Sequence, residues 1–341
     1  MKKIGALVVG PGWVSGEHIK GYIRDGRAEV RSIACARKSS SQLERANAIA
    51  EKFSLKNVRI ESDWKSAMDA PDIDAVSVCS ISHHHFEIAE HALKLGKHLL
   101  VEKPVCFTEK ELGILEKLHR EAKTKFAVCH VVRYYPALRN IRKLLDKKSI
   151  GAPYYIEADY WHEVIGAWKC KKATAGSSLL MGGCHAVDMI YHMLGFDKVP
   201  VSVTALSTKA VRRKDFDYDP TVAGIIRFKS GEIAKVGSSL ESALPYKFHL
   251  QIMGSRGAIV DNKLFKMKGN KKQPAVQIPG TYADDGDVAH HPFDYLVKGF
   301  VDSIVNNREP HSSFKEALKT YKTIFALEKS FKTGKTVTLK S

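Results

Sequence analysis

Three side chains stand out for the chemistry their neighbours allow. Lys103 sits in Glu102-Lys103-Pro104, directly after the apolar run His98-Leu99-Leu100-Val101, so a strand delivers an ammonium group to its own carboxyl end. His185 and Asp188 lie three residues apart in a stretch that reads as a helix, a spacing that puts both on one face. An imidazole and an amine of this kind suit a proton moving on or off a hydroxyl, with the carboxylate as orienter of the ring or as a hydroxyl-binding group. Plainer roles exist for the same residues. Lys103 would also serve as a surface lysine after a strand, His185 as a helix cap, and Asp188 as a partner for buried backbone groups.

A second set of residues suits phosphate. The apolar strand Ile4-Gly5-Ala6-Leu7-Val8-Val9 runs into Gly10-Pro11-Gly12-Trp13-Val14-Ser15-Gly16. The first glycine permits a tight turn and the second lets backbone approach a pyrophosphate, whose charge then meets the N–H groups and positive dipole end of a helix beginning near Ser15. The third glycine of the GxGxxG pattern is replaced by Ser15. A dinucleotide is the expected ligand. If it carries nicotinamide, oxidation of an alcohol by hydride transfer requires a base at the hydroxyl, and Lys103 and His185 are the candidates.

These groups need a scaffold, and the first third of the chain repeats a βα pattern. Strands are expected at 4–9, 30–36, 58–60, 75–79, 98–101 and 126–129, with helices at 41–53, 84–95 and 109–124 between them. Crossovers of this length join parallel strands, and strands apolar on both faces are buried on both faces. The expectation is an α/β Rossmann domain, a doubly wound parallel sheet whose ligand crevice lies at the carboxyl ends of its strands.

With 341 residues the chain is long enough for two domains, and 44% hydrophobic content supports a core in each. No apolar run reaches the roughly 18–20 residues of a membrane span, so no membrane is expected as a partner. Met1-Lys2-Lys3 leads straight into a strand, so the mature chain is expected to start at Met1. Six cysteines are scattered, four on or beside strands where bridging geometry is poor, which points to reduced thiols and a cytoplasmic compartment. The net charge of +17 is dispersed without an aromatic-interleaved basic stripe. It reads as a solvated lysine-rich surface and not as a nucleic-acid interface.

Taken together, these motifs resemble those of the Gfo/Idh/MocA family of sugar and cyclitol oxidoreductases, over nearly the whole chain. Gly10-x-Gly12-x-x-Ser15-x-x-His18 is similar to its first loop, Ser80-Ile81-Ser82-x-x-His85 to its Thr-Pro-Asn-x-x-His element, and Glu102-Lys103-Pro104 to its hallmark. Arg133-Tyr134-x-Pro136, Trp168-Lys169 and Gly182-Gly183-Cys184-His185-x-x-Asp188 follow in family order. The resemblance implies a Rossmann domain over 1–125 and, over 126–341, an α+β domain with a large, mostly antiparallel open sheet for substrate binding and oligomerisation. On their own terms, residues 154–161, 202–207, 221–228, 232–238 and 247–253 are strand-like, with a hairpin turn at Lys229-Ser230-Gly231. The resemblance further implies terminal helices from Phe293 and a last strand near Val337, and a homodimer or homotetramer.

Site roles carried over by the resemblance are cofactor contacts at Gly10, Gly12, Trp13, Val14, Ser15, Ala36, Arg37, Ser39, Ser80, Ile81, His85, Glu102 and Lys103. Lys103 and His185 are the catalytic pair, and Asp188, Trp168, Lys169, His162 and Arg133 touch substrate. Aromatic faces at Tyr160, Trp161, His162 and Trp168 suit sugar rings, with Tyr160 or Trp161 expected in the core. The second strand ends Ala36-Arg37-Lys38-Ser39-Ser40, without the carboxylate that holds the ribose 2′-hydroxyl of NAD. Arg37 and the serine hydroxyls suit a 2′-phosphate, so NADP is favoured over NAD. His83-His84-His85 points in different directions and completes no metal set, so no metal is expected.

One departure is clear. Many family dehydrogenases carry an aspartate four residues before the helix histidine, and here that position is Met181, whose thioether neither orients a base nor accepts a proton. The expected activity is hydride transfer between a nicotinamide cofactor and a secondary alcohol of a small sugar, sugar derivative, cyclitol or glycoside. Two alternatives share the fold: a redox-cycling glycosidase that retains its NAD, and a nucleotide- or sugar-sensing regulator without turnover.

Overall fold

The computed structural model describes residues 3–283 and 291–339. Met1 and Lys2, read from the sequence as the start of the mature chain, lie outside the described residues. The chain divides into two compact units: everything up to Cys129 together with Pro292–Leu318, and His130–His291 together with the chain from Lys319.

The first unit is built on six parallel strands, β1 (Ile4–Val9), β2 (Ala28–Ala34), β3 (Arg59–Glu61), β4 (Ala75–Val78), β5 (His98–Val101) and β6 (Phe126–Val128), in the order β3-β2-β1-β4-β5-β6. Chain order reverses beside β1, which creates the crevice at the carboxyl ends of β1 and β4. The crossovers are α1 (Trp13–Asp25), α2 (Ser40–Lys52), α3 (Trp64–Asp69), α4 (His85–Lys94) and α5 (Glu109–Glu121). Their ends follow local chemistry. Gly26 takes the left-handed conformation after α1 and its N–H donates to the Tyr22 carbonyl, while Thr108 and Glu111 form a reciprocal capping box at the start of α5. The first helix begins at Trp13, two residues earlier than the sequence suggested, because Gly12 serves as its N-cap.

The division differs from a single cut between 125 and 126. β6 is hydrogen-bonded to β5 in register Leu99↔Phe126 to Val101↔Val128, so it belongs to the parallel sheet. The helix Phe293–Val305 returns to pack on α1: Phe293 meets the Trp13 and His18 rings at 6.1 and 5.8 Å, and Arg27 pairs with Asp302 at 2.7 Å. Such a return, roughly 165 residues downstream, leaves no local signal in the sequence.

The second unit opens with α6 (Pro136–Asp146), which carries proline in its first turn, then β7 (Pro153–Trp161), the short α7 (Lys172–Ala175) and α8 (Cys184–Leu194). A meander follows through β8 (Pro200–Thr208), β9 (Thr221–Phe228), β10 (Ile233–Ser239), β11 (Lys247–Gly254), β12 (Gly257–Val260), β13 (Lys263–Lys268), β14 (Lys271–Lys272) and β15 (Val276–Gln277). The helix Phe293–Val305 is α9, α10 is Phe314–Thr333, and β16 is Val337–Thr338. The ten-stranded sheet runs β14-β13-β12-β11-β7-β10-β9-β8-β16 with β15 on β13, antiparallel except where β10 meets β7. This is the open, mostly antiparallel sheet expected from the sequence. Alternation sorts its two faces. Ile156, Ala158 and Tyr160 of β7, Ala234 and Val236 of β10, and Phe248, Leu250 and Ile252 of β11 are buried toward α8, whereas Leu206, Ile225 and Ile233 on the other face are exposed. All six cysteines are buried and none is in a disulfide. Among the described residues no helix is long and apolar enough to cross a membrane.

Candidate active site

In the first unit every expected cofactor residue follows the carboxyl end of β1, β2, β4 or β5. Gly10 has φ +95°, and an added Cβ would fall 2.5 Å from the Ser80 Cα, so both conformation and close approach demand glycine. At Gly12 the reverse holds: a Cβ there would meet nothing within 4 Å, which leaves open space above the loop. Helix α1 therefore starts on a residue without a capping side chain, and its first turn holds no acidic residue. The Ser15 hydroxyl donates to the Gly12 carbonyl at 2.6 Å and stays clear of that space. Across the loop the Ser80 Oγ is buried without a hydrogen-bond partner among the described residues. Open N–H groups, a positive helix end and an unsatisfied hydroxyl fit a pyrophosphate. Trp13 and Ile81 are exposed at the same rim, apolar surfaces at 57% and 37% accessibility.

The loop after β2 is closed by Gln42, whose Oε1 accepts the Ala36 N–H at 3.0 Å. Arg37 is exposed with no acidic partner among the described residues, and Ser39, the N-cap of α2, makes no capping bond with its side chain. Its hydroxyl lies 2.9 Å from that of Ser41. Gln42 was not singled out from the sequence, where a glutamine in a first helical turn carries no distinguishing mark.

His85 ties two loops together. Its Nδ1 lies 2.7 Å from the Pro104 carbonyl and its Nε2 lies 2.8 Å from the Ser80 carbonyl. Burial lowers its pKa, while the two carbonyls and the Glu102 charge act in the opposite direction. Two acceptors are both satisfied only by the doubly protonated ring, so the clamp is firmest when His85 is charged. Glu102, expected among cofactor contacts, is engaged elsewhere: its Oε1 meets His18 Nε2 at 3.2 Å, and His18 Nδ1 meets Ser77 Oγ at 3.2 Å, which in turn meets Tyr22 at 2.8 Å. Burial raises the Glu102 carboxyl, but the His18 hydrogen bond and the His18 and Lys103 charges outweigh it and hold the group below its ordinary value. Lys103 follows Glu102 at the end of β5 and its charge helps to hold that carboxyl down. Cys129 joins this cluster, 3.8 Å from His18 Nε2, and the three groups stand close enough to share an ion. The hydrogen bonds of His18 already account for their arrangement.

In the second unit His185 is the second residue of α8 and 2% exposed. A π-helical turn, Leu179–Gly183, precedes it and contains Met181; such widened turns commonly re-aim a side chain at functional sites. The Tyr160 ring stacks on His185 with centroids 5.8 Å apart, and His130 meets it edge-on at 5.9 Å. The rings continue through His162 to Tyr246 at 5.5 Å, Tyr246 to His291 at 5.5 Å, and His291 Nδ1 to the Tyr135 hydroxyl at 2.9 Å. Of these, sequence reasoning named His185, Tyr160 and His162. It missed His130, Tyr135, Tyr246 and His291, which lie in turns and loops far apart in the chain. Tyr160, one of two residues expected in the core, is 5% exposed; Trp161 is half-buried on the other face of β7. Trp168 and Lys169 are half-buried on the turn Ala167–Cys170, the ammonium 5.6 Å above the indole.

Arg133 and Asp188, expected as substrate contacts, are paired with each other. The Arg133 Nε and a terminal nitrogen donate to the two Asp188 oxygens at 2.6 and 2.5 Å, with the residues 0% and 1% exposed. Thr320 adds a hydrogen bond at 3.3 Å, His130 stands 3.7 Å away, and the guanidinium lies 4.6 Å above the Phe196 ring. Burial raises the Asp188 carboxyl, but the charges of Arg133 and His130 keep it below the usual aspartate value. The spacing from His185 did place Asp188 on the helix face shared with the imidazole. A bidentate partner 55 residues away uses both its oxygens.

Comparison with known proteins agrees with this architecture. Residues 4–131 match an oxidoreductase family with an NAD-binding Rossmann fold, and residues 138–260 match the GFO/IDH/MocA C-terminal domain. Levoglucosan dehydrogenase of Pseudarthrobacter phenanthrenivorans is 27% identical over 62% of the chain and 61% of its own length, so the alignment spans about three-fifths of that relative. D-xylose 1-dehydrogenase (NADP(+)) 2 of Haloferax volcanii is 23% identical over 86% of the chain and 89% of its own. A solved levoglucosan dehydrogenase in complex with NADH and L-sorbose superposes with a TM-score of 0.86 over 100% of both chains at 21% identity, which shows a common fold. Matched in both of its halves, the chain belongs to the Gfo/Idh/MocA family of oxidoreductases.

Proposed function

We propose that this chain transfers hydride between a nicotinamide dinucleotide, NADP in preference to NAD, and a secondary alcohol of a sugar, sugar derivative, cyclitol or glycoside. The observation that carries the reading is the rim of the parallel sheet, where the open start of α1, the unsatisfied Ser80 hydroxyl and Lys103 all follow strand ends. When bound, the nicotinamide supplies the hydride acceptor or donor. Lys103, at the end of β5, donates to the hydroxyl oxygen as charge develops there. His185, fixed between Tyr160 and His130, takes the hydroxyl proton. The ring cluster of Tyr160, His162, Tyr246 and His291 offers apolar faces and polar edges, a combination suited to sugars. The Arg133–Asp188 pair fixes the first turns of α8 behind His185. The exposed face bearing Leu206, Ile225 and Ile233 supports a homodimer or homotetramer, and the unbridged cysteines support a cytoplasmic setting.

The reading is tested by following reduced nicotinamide in the near-ultraviolet with NADP and a panel of sugars, glycosides and cyclitols. Turnover with at least one member is expected; binding of cofactor without turnover of any would contradict it. Two substitutions probe the cofactor rim. Gly12→Asp places a side chain and a negative charge in the open space at the helix start and is expected to weaken NADP and NAD alike by at least roughly tenfold in calorimetry. Arg37→Ala is expected to weaken NADP by about 1–3 kcal/mol, the scale of a lost charge-assisted hydrogen bond, and to leave NAD within twofold. Equal losses for both cofactors would remove Arg37 as reader of the phosphate.

A further inference from the structure

The adjacent histidines His83 and His84 are absorbed by none of these roles. They close the 3₁₀ turn Ser82–His84 that leads from β4 into α4, with ring centroids 3.9 Å apart and planes tilted by 42°. His83 is exposed and His84 half-buried, so both rings reach the rim. Arg37 stands after β2. In the order β2-β1-β4 the two loops flank the end of β1, separated by two strand spacings or roughly 10 Å. The loop of Gly10 and Gly12 lies between them.

Charge at this place is one-sided. Burial and then the Arg37 charge push His83 below its ordinary value. His84 is lowered by burial and the His83 charge, with smaller contributions of the same sign from His85 and Arg37, and Glu87 acts in the opposite direction. Glu87, the carboxylate that faces His84 from α4, is itself paired with Lys65 of α3 at 2.9 Å. A guanidinium without an acidic partner among the described residues and two imidazoles whose pKa values burial lowers first together form a seat for an anion.

We infer that His83 and His84 are a second reader of the adenosine 2′-phosphate, opposite Arg37, and that they make the choice of NADP over NAD depend on pH. The inference rests on the proposed use of NADP, whose 2′-phosphate is the group that NAD lacks. The sign follows from linkage. A phosphate dianion beside the imidazoles favours their charged forms and raises their affinity for protons, so binding of NADP takes up protons and strengthens as pH falls. The phosphate keeps at least half of its second charge down to about pH 6, which sets the lower edge of the window. Binding of NAD involves neither group and stays level.

The test is calorimetry of NADP and NAD on the complete apoprotein at about pH 8 and about pH 6.5, in buffers of different ionisation enthalpy so that proton uptake is counted directly. The NADP-to-NAD affinity ratio is expected to rise about three- to tenfold between the two conditions, with net proton uptake on NADP binding alone. In the variant His83→Gln with His84→Gln the ratio is expected to be level and the uptake lost, with melting temperature used to verify folding. A ratio that does not change with pH in the parent chain, or a rise that persists in the variant, overturns the inference. NADP preferred at both pH values, lost in Arg37→Ala and indifferent to the histidines, overturns it while leaving the NADP reading intact. NAD preferred at both pH values overturns both.

Discussion

Replacing His185 with alanine is expected to lower kcat by about 10²- to 10⁴-fold, the contribution of a positioned general base, while NADP affinity stays within twofold. The expectation follows from placement. The imidazole is nearly inaccessible, stacked on Tyr160 and met edge-on by His130, so its ring plane is fixed before any substrate arrives. Fixed geometry is what proton transfer needs, and here packed rings provide it in the absence of the aspartate that Met181 replaces. Steady-state rates with the best substrate, together with calorimetric affinity for NADP, check the claim. A fall in kcat of less than about threefold would remove His185 as the base and leave the proton to Lys103.

Asp188→Ala is expected to destabilise the protein by about 3–5 kcal/mol, because it leaves Arg133 buried without its carboxylate. In a unit of this size each kcal/mol lowers the melting temperature by about 2–4 °C, so a drop of roughly 6–20 °C is expected by calorimetry or circular dichroism. Replacing both partners with apolar residues, Arg133→Met with Asp188→Leu, is expected to recover a good part of that loss, since neither charge then remains stranded. The pH dependence has a definite sign. The Asp188 carboxyl is held below its ordinary value of 3.8, so the pair contributes fully above that pH and its contribution fades as pH falls below it. A loss under about 1 kcal/mol, the scale of an exposed ion pair, would mean that the pair is wet, and would restore Asp188 as a substrate contact.

The first unit was legible in the sequence because its signals are local. Apolar runs of strand length alternate with amphipathic stretches, and the glycines that α1 needs at its start fall in a fixed pattern. Lys103 was legible for the same reason, since a lysine directly after an apolar strand has its address fixed by that strand. The second unit was legible as strands but not as a site. His130, Tyr135, Tyr160, Tyr246 and His291 come together over more than 150 residues: pairing of β7 with β11 sets Tyr160 beside the chain of Tyr246, while His130 and Tyr135 flank a 3₁₀ turn before β7 and His291 precedes α9, and no spacing rule announces such a cluster. Asp188 shows the limit of helical periodicity. It gives the face on which a side chain lies, but the Arg133 that occupies this carboxylate comes from a distant 3₁₀ turn. The return of Phe293–Val305 to α1 is of the same kind, fixed by the packing of distant helices.

Hydride transfer itself is tested most directly by isotope. A sugar or cyclitol substrate carrying deuterium on its reacting carbon is mixed with excess enzyme and NADP for a single turnover, and the reduced cofactor is weighed by mass spectrometry. The expected result is one deuterium on the nicotinamide ring, appearing at the same rate as the near-ultraviolet absorbance and slowed relative to the protium substrate. Sugars that bind by calorimetry yet leave the nicotinamide oxidised and unlabelled would contradict a dehydrogenase and make the chain a sensor.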